Sequence, residues 1–256
     1  PRWMLNCILL PEGKTTPEMV EEILHQIHSA SSQVGVLVIG GHTEVTAGLD
    51  RPMVVGHLLG EVAKEALIAT STAEVDDVVL VTKAVGIEGT AIIASELAGD
   101  LRGKGCSADF IERARMFLHD PGISVYTDAL IAADSKLVHA MTDATEGGLA
   151  SALHEMATAA GVGFLIEAEK VPIYAETKRI CAEYNLDPLG LIASGMLIMT
   201  VPSSNSDELC NDMMAKGVQC TAIGTVTDAS EGLQLSRGGR RSDLPYYPAD
   251  ELTKLL

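Results

Sequence analysis

Apolar positions along the chain follow two rhythms. Continuous apolar runs bounded by Gly, Pro or Asp occupy residues 3–10, 34–39, 53–62, 78–82, 136–141, 163–166, 196–201, 219–226 and 233–235. Short runs of this kind predict buried strands. Between them, apolar residues three or four apart predict helices over 17–30, 91–97, 111–118, 127–133, 149–160, 174–184 and 206–216. The first helix has a clear start: Thr16 stands as N-cap and Pro17 as first helical residue. Strands and helices alternate without strict β-α-β regularity, and no solenoid period is present. The expected class is α+β or mixed α/β. The acidic stretch Glu74-Val75-Asp76-Asp77 separates two parts, residues 1–73 and 74–256.

Composition narrows the picture. Of 256 residues, 47% are hydrophobic and only 4% aromatic, so aliphatic side chains must fill the core. A net charge of -17 repels nucleic acid and anionic membranes, and both are set aside as partners. A phosphorylated small molecule stays open, because Mg2+ can screen it from carboxylates. The apolar run 189–201 carries Gly190, Ser194 and Gly195 and is too short to span a bilayer. Five cysteines without Cys-x-x-Cys spacing read as reduced thiols of a cytoplasmic protein rather than a zinc site.

The chemistry concentrates in two glycine doublets. In MTDATEGGLASALHEMA, residues 141–157, Asp143 and Glu146 have capping-box spacing. Capping leaves Gly147 and Gly148 unexplained, since glycine in a first turn costs about 1 kcal/mol against alanine. Bare amides at a helix N-terminus would admit an anion. The second doublet, Gly40-Gly41-His42-Thr43-Glu44, reads as a turn after the strand at 34–39. Alone it is an ordinary tight turn. Beside a second Gly-Gly mouth it becomes a metal–phosphate site, with Glu44 as an oxygen ligand for Mg2+ and His42 as a phosphate donor or acid–base group. Gly86-Ile-Glu-Gly-Thr90 reads as a helix start, and the basic cluster Arg237–Arg241 as a solvated tail. His57, His119, His139 and His154 receive no role.

Five segments, GGHTEVT, VLVTKAVGIEGTAIIASE, DATEGGLASALHEMA, ASGMLIMTVP and TAIGTVTD, together resemble the aminoimidazole ribonucleotide synthetase superfamily. The nearest resemblance is to its hydrogenase-maturation carbamoyl dehydratase branch. It implies an N-terminal α+β domain that pairs across a homodimer into a β-barrel, followed by a C-terminal α/β sandwich domain. It also implies ATP with Mg2+ and phosphoryl transfer to an oxygen of a small substrate. The residues assigned to this chemistry are His42, Glu44 and Asp143 as catalytic groups. Glu44 and Asp143 are the metal ligands, and Gly40, Gly41, Thr43, Thr145, Glu146, Gly147 and Gly148 the nucleotide contacts. Three features depart from the pattern. The family's Gly-rich, Asp-bearing segment would precede Pro1, so the chain is expected to be an N-terminally shortened piece. His42 stands where many relatives carry an acid. The chain ends Thr253-Lys254-Leu255-Leu256, without the terminal cysteine of the hydrogenase-maturation enzyme. The alternative expectation is a non-catalytic nucleotide-binding or dimerisation module on the same scaffold.

Overall fold

Trp3–Pro11 forms strand β1 in the computed structural model, which describes residues 1–256. Helix α1 (Pro17–Gln33) follows, with the Thr16 hydroxyl accepting from the Met19 amide. Strands β2 (Leu37–Thr46) and β3 (Met53–Leu59) flank β1 in the order β2-β1-β3, the first pair parallel and the second antiparallel. Alternation along β1 buries Asn6, Ile8 and Leu10 on one face, the face on which Leu24 of α1 lies close. These elements make a compact unit, Pro1–Leu67, and Ile68–Leu256 makes a second.

The expected Gly40-Gly41 turn is not formed. β2 runs straight through both glycines. The pairing with β1 skips a residue between Met4↔Val38 and Leu5↔Gly40, a β-bulge. Gly41 has φ +144°, and a Cβ there would lie 1.8 Å from the Asn6 carbonyl oxygen. The glycine thus permits a close backbone approach within a sheet, a role that local sequence does not distinguish from punctuation.

The second unit is built on seven strands: β4 (Val78–Thr82), β5 (Ala140–Ala144), β6 (Gly163–Glu167), β7 (Met196–Val201), β8 (Cys220–Thr227), β9 (Leu233–Arg237) and β10 (Arg240–Asp243). Their order is β10-β9-β6-β8-β4-β7-β5, and all pairs are antiparallel except β6 with β9. The helices are α2 (Ile87–Glu96), α3 (Ala98–Gly103), α4 (Ala108–Met116), α5 (Tyr126–Ser135), α6 (Gly148–Ala160), α7 (Ala175–Tyr184) and α8 (Ser206–Ala215).

Both faces of this sheet are covered, which is why β7 reads as an unbroken apolar run with every residue buried. Met196 and Ile198 pack with Val79 and Val81 against Leu149, Leu153 and Met156 of α6. Leu197 and Met199 pack with Leu80 against Ile131 of α5 and Leu209 and Met213 of α8. A separate helical cluster joins Ile93, Leu101, Ile111 and Ile180. Two local expectations are corrected. Lys136 adopts the left-handed conformation and ends α5, so the strand expected at 136–141 instead begins at Ala140 and carries on to Ala144. The cluster Arg237–Arg241 is no tail but the β9–β10 hairpin, turned by Gly238 and Gly239 at positive φ.

Candidate functional site

β5 lies at the edge of the sheet and delivers its last residues to the mouth of α6. Asp143, Thr145 and Glu146 are exposed there, whereas Gly147, Gly148 and the first turn of α6 are buried. Asp143 belongs to the strand, so the Asp143–Glu146 capping box does not form. Gly147 is the N-cap, in left-handed conformation and without a capping side chain of its own.

The two amides expected to be bare are taken. The Gly147 amide donates to Asp250 Oδ2 at 2.6 Å, and the Gly148 amide to the Thr145 carbonyl at 3.0 Å. Close packing accounts for the glycines themselves. A Cβ on Gly148 would lie 2.5 Å from the Leu189 carbonyl oxygen, and one on Gly147 would lie 2.1 Å from Ser151 Oγ. Asp250 gave no signal in the sequence. Leu244 is buried in the core, and the following residues 246–250 line one hollow with Ser151, His154 and Glu155 of α6. On the way His154 Nε2 meets the Pro245 carbonyl at 3.2 Å, and the His154 ring packs edge-on to Tyr246 at 5.4 Å. A hollow of about 640 Å³ lies between, lined by Glu146, Gly147, Ser151, His154, Tyr246 and Asp250 among others. That size suits a small organic ligand. Tyr247 also lines it, and burial followed by its hydrogen bond to Asp187 pushes its phenol up.

In the first unit, strand alternation puts His42 and Glu44 on one face of β2. His42 Nε2 lies 3.1 Å from Glu44 Oε2, and Thr46 donates to Glu44 Oε1 at 3.2 Å. The hydrogen bond from His42, then that from Thr46, holds the Glu44 carboxyl below its usual range. Gly40, Gly41, His42 and Thr43 line a shallow groove with Asn6, Ile8 and Leu24. No group of three or more His, Cys, Asp or Glu side chains is assembled for a metal.

A third polar centre was not foreseen. Lys83 and Asp128 are buried and paired at 2.9 Å. The Lys83 ammonium also donates to the Ser124 and Gly195 carbonyls at 2.8 and 3.0 Å, and Thr82 Oγ1 donates to Asp128 at 2.7 Å. Its three donors are therefore spent on the fold, not offered to a ligand. The one hint in the sequence is a lysine directly after a strand, Val-Leu-Val-Thr-Lys83. His139 likewise finds a partner, the buried Asp77, at 3.0 Å.

Comparison with known proteins places the fold. Residues 74–235 match the family model described as AIR synthase related protein, C-terminal domain, and residues 1–62 match its N-terminal domain. A putative hydrogenase expression/formation protein of Methanocaldococcus jannaschii is 28% identical over 245 residues, covering 93% of this chain and 68% of that protein. A carbamoyl dehydratase, HypE, of Rhodobacter capsulatus is 27% identical over 248 residues, covering 94% and 69%. Among solved structures, E. coli HypE superposes with a TM-score of 0.79 at 21% identity, over 97% of this chain and 75% of that one. HypE in complex with ATP gives 0.75 at 19% identity, over 98% and 75%. At these identities the structural likeness is one of fold. No helix is long and apolar enough to cross a membrane.

Proposed function

The chain belongs to the AIR synthase related protein family, and from that footing we propose that it uses ATP with Mg2+ to transfer a phosphoryl group to an oxygen of a small substrate. The observation that carries this reading is the β5–α6 junction. A sheet-edge strand there presents the exposed Asp143, Thr145 and Glu146 at the positive end of α6, whose other face packs into the core. A homologous fold solved with ATP supports the choice of nucleotide.

Bound Mg2+ would supply charge neutralisation on the phosphates. It typically takes one or two carboxylates and fills its remaining positions with phosphate oxygens and water. In the second unit Asp143, a single exposed carboxylate outside any three-ligand cluster, fits that kind of donor set, and in the first unit Glu44 does so separately. His42 and Thr43 can donate to phosphate oxygens, and Gly40 and Gly41 offer main-chain contacts from β2. Thr145 contributes a hydroxyl, and Glu146 and Gly147 border the hollow over α6. The catalytic contribution is positioning and electrostatics rather than covalent chemistry.

The reading includes a homodimer in the cytoplasm. The strands flanking β1 both leave an edge unpaired, and β2 and β3 expose Leu37, Ile39, Val45, Val55 and Leu58. An apolar surface of this extent on edge strands calls for a partner, here a second copy.

One observation favours a second reading, a nucleotide-binding or dimerisation module without turnover. The Asp250 carboxylate already holds the Gly147 amide and competes with any anion there. Release of ADP from Mg-ATP, at a rate lowered about tenfold or more in Asp143→Asn, decides for the enzyme. Nucleotide binding seen by calorimetry without any ADP release decides for the module. Neither binding nor turnover removes both.

A further inference from the structure

We propose that Cys210 and Cys220 form a reversible disulfide by exchange with a low-molecular-weight disulfide such as oxidised glutathione. The inference stands apart from the phosphoryl-transfer reading. It rests on how α8 packs on β8. Cys210 sits in the middle of α8 and is partly exposed, and Cys220 is the buried first residue of β8. Their sulfurs share a hydrogen bond of 3.1 Å, so the pair is preassembled for a bond that the ten-residue separation alone would not predict.

The two thiols are also unequal. The hydrogen bond between the two sulfurs holds the Cys210 thiol below its ordinary range. The same hydrogen bond, then burial, pushes Cys220 up. Cys210, the more accessible of the two, is therefore the attacking thiolate. It displaces one glutathione thiolate from the disulfide and becomes a mixed disulfide. Cys220 loses its proton to solvent, attacks Cys210 Sγ and expels the second glutathione. Two protein thiols are oxidised, and one disulfide is reduced to two thiols.

The bond would act on a defined piece of the fold. Cys220 pairs with Thr82, and the carbonyl of the preceding Gln219 accepts from the Lys83 amide at 2.9 Å. Oxidation would therefore lock the end of α8 and the turn before β8 beside the buried Lys83–Asp128 pair.

The test incubates the whole chain in glutathione buffers of increasing oxidised fraction, then blocks remaining thiols and maps peptides by mass. The expected product is a linked peptide joining Cys210 to Cys220, with the loss of two hydrogens and a fall in free thiols from five to three. Cys210→Ser and Cys220→Ala each abolish the linked peptide, and Cys220→Ala leaves Cys210 as a glutathione adduct. The proposal is overturned if both residues stay free in the most oxidised buffer, or if parent Cys210 accumulates as an adduct that never resolves.

Discussion

Removing the ammonium of Lys83 tests the tightest polar centre of the second unit. Lys83→Met keeps the length of the stem and deletes the charge. It leaves Asp128, whose side chain is 3% exposed, buried with only the Thr82 hydroxyl as donor. Stranding one partner of a buried ion pair costs about 3–5 kcal/mol. The Ser124 and Gly195 carbonyls lose their donor as well. For a unit of this size such a loss lowers the melting temperature by on the order of 10 °C. The single tryptophan lies in the first unit and all five tyrosines in the second, so tyrosine near-ultraviolet signals in urea titrations follow the relevant transition. Lys83→Met with Asp128→Leu removes both charges and should recover most of the loss, to within about 1.5 kcal/mol of the parent. A single variant within about 1 kcal/mol of the parent refutes the reasoning, as does a double variant no better than the summed singles.

Three further outcomes are expected. Asp250→Ala frees the Gly147 amide and also uncaps the last turn, where Asp250 Oδ1 accepts from the Leu252 amide at 2.8 Å. A loss of about 2–3 kcal/mol should appear in the same urea titration. Gly41→Ala puts a Cβ 1.8 Å from a main-chain oxygen, so the β1–β2 pairing breaks and the emission of Trp3 moves toward that of unfolded chain, at a cost of about 3 kcal/mol or more. Burial, then the nearby Asp187 and Glu251 charges, pushes the Cys181 thiol from 9.0 up to about 12. The unfolded chain therefore gives up this proton first, and the stability it confers is whole below pH 9 and falls between pH 9 and 12. Cys181→Ala should flatten that decline, read from urea midpoints at neutral and alkaline pH.

Much of the architecture was legible along the chain, for a local reason. Burial on both faces leaves a continuous apolar run, and β7 was readable to the residue at 196–201. Burial of one helical face leaves a period near four, and Leu149, Leu153 and Met156 of α6 occupy the core face. The family resemblance was legible too, because its segments are contiguous stretches in a fixed order. Where reading failed, glycine was the usual cause. The Gly40-Gly41 doublet looks like punctuation and is a bulge inside a strand. The Gly147-Gly148 doublet looks like an anion cradle, yet positive φ and close packing already call for its two glycines.

Partners brought from afar were decided by the tertiary structure alone. Asp250 meets Gly147 across 103 residues, Lys83 meets Asp128 across 45, and His139 meets Asp77 across 62. Periodicity records which way a side chain faces relative to its own element. It carries nothing about which distant element closes over it, because that depends on strand order and on the path of the connecting segments. The elements and the family of this protein were therefore written in its sequence, whereas the state of its helix mouth, with a carboxylate already on the Gly147 amide, came into being only when the chain closed on itself.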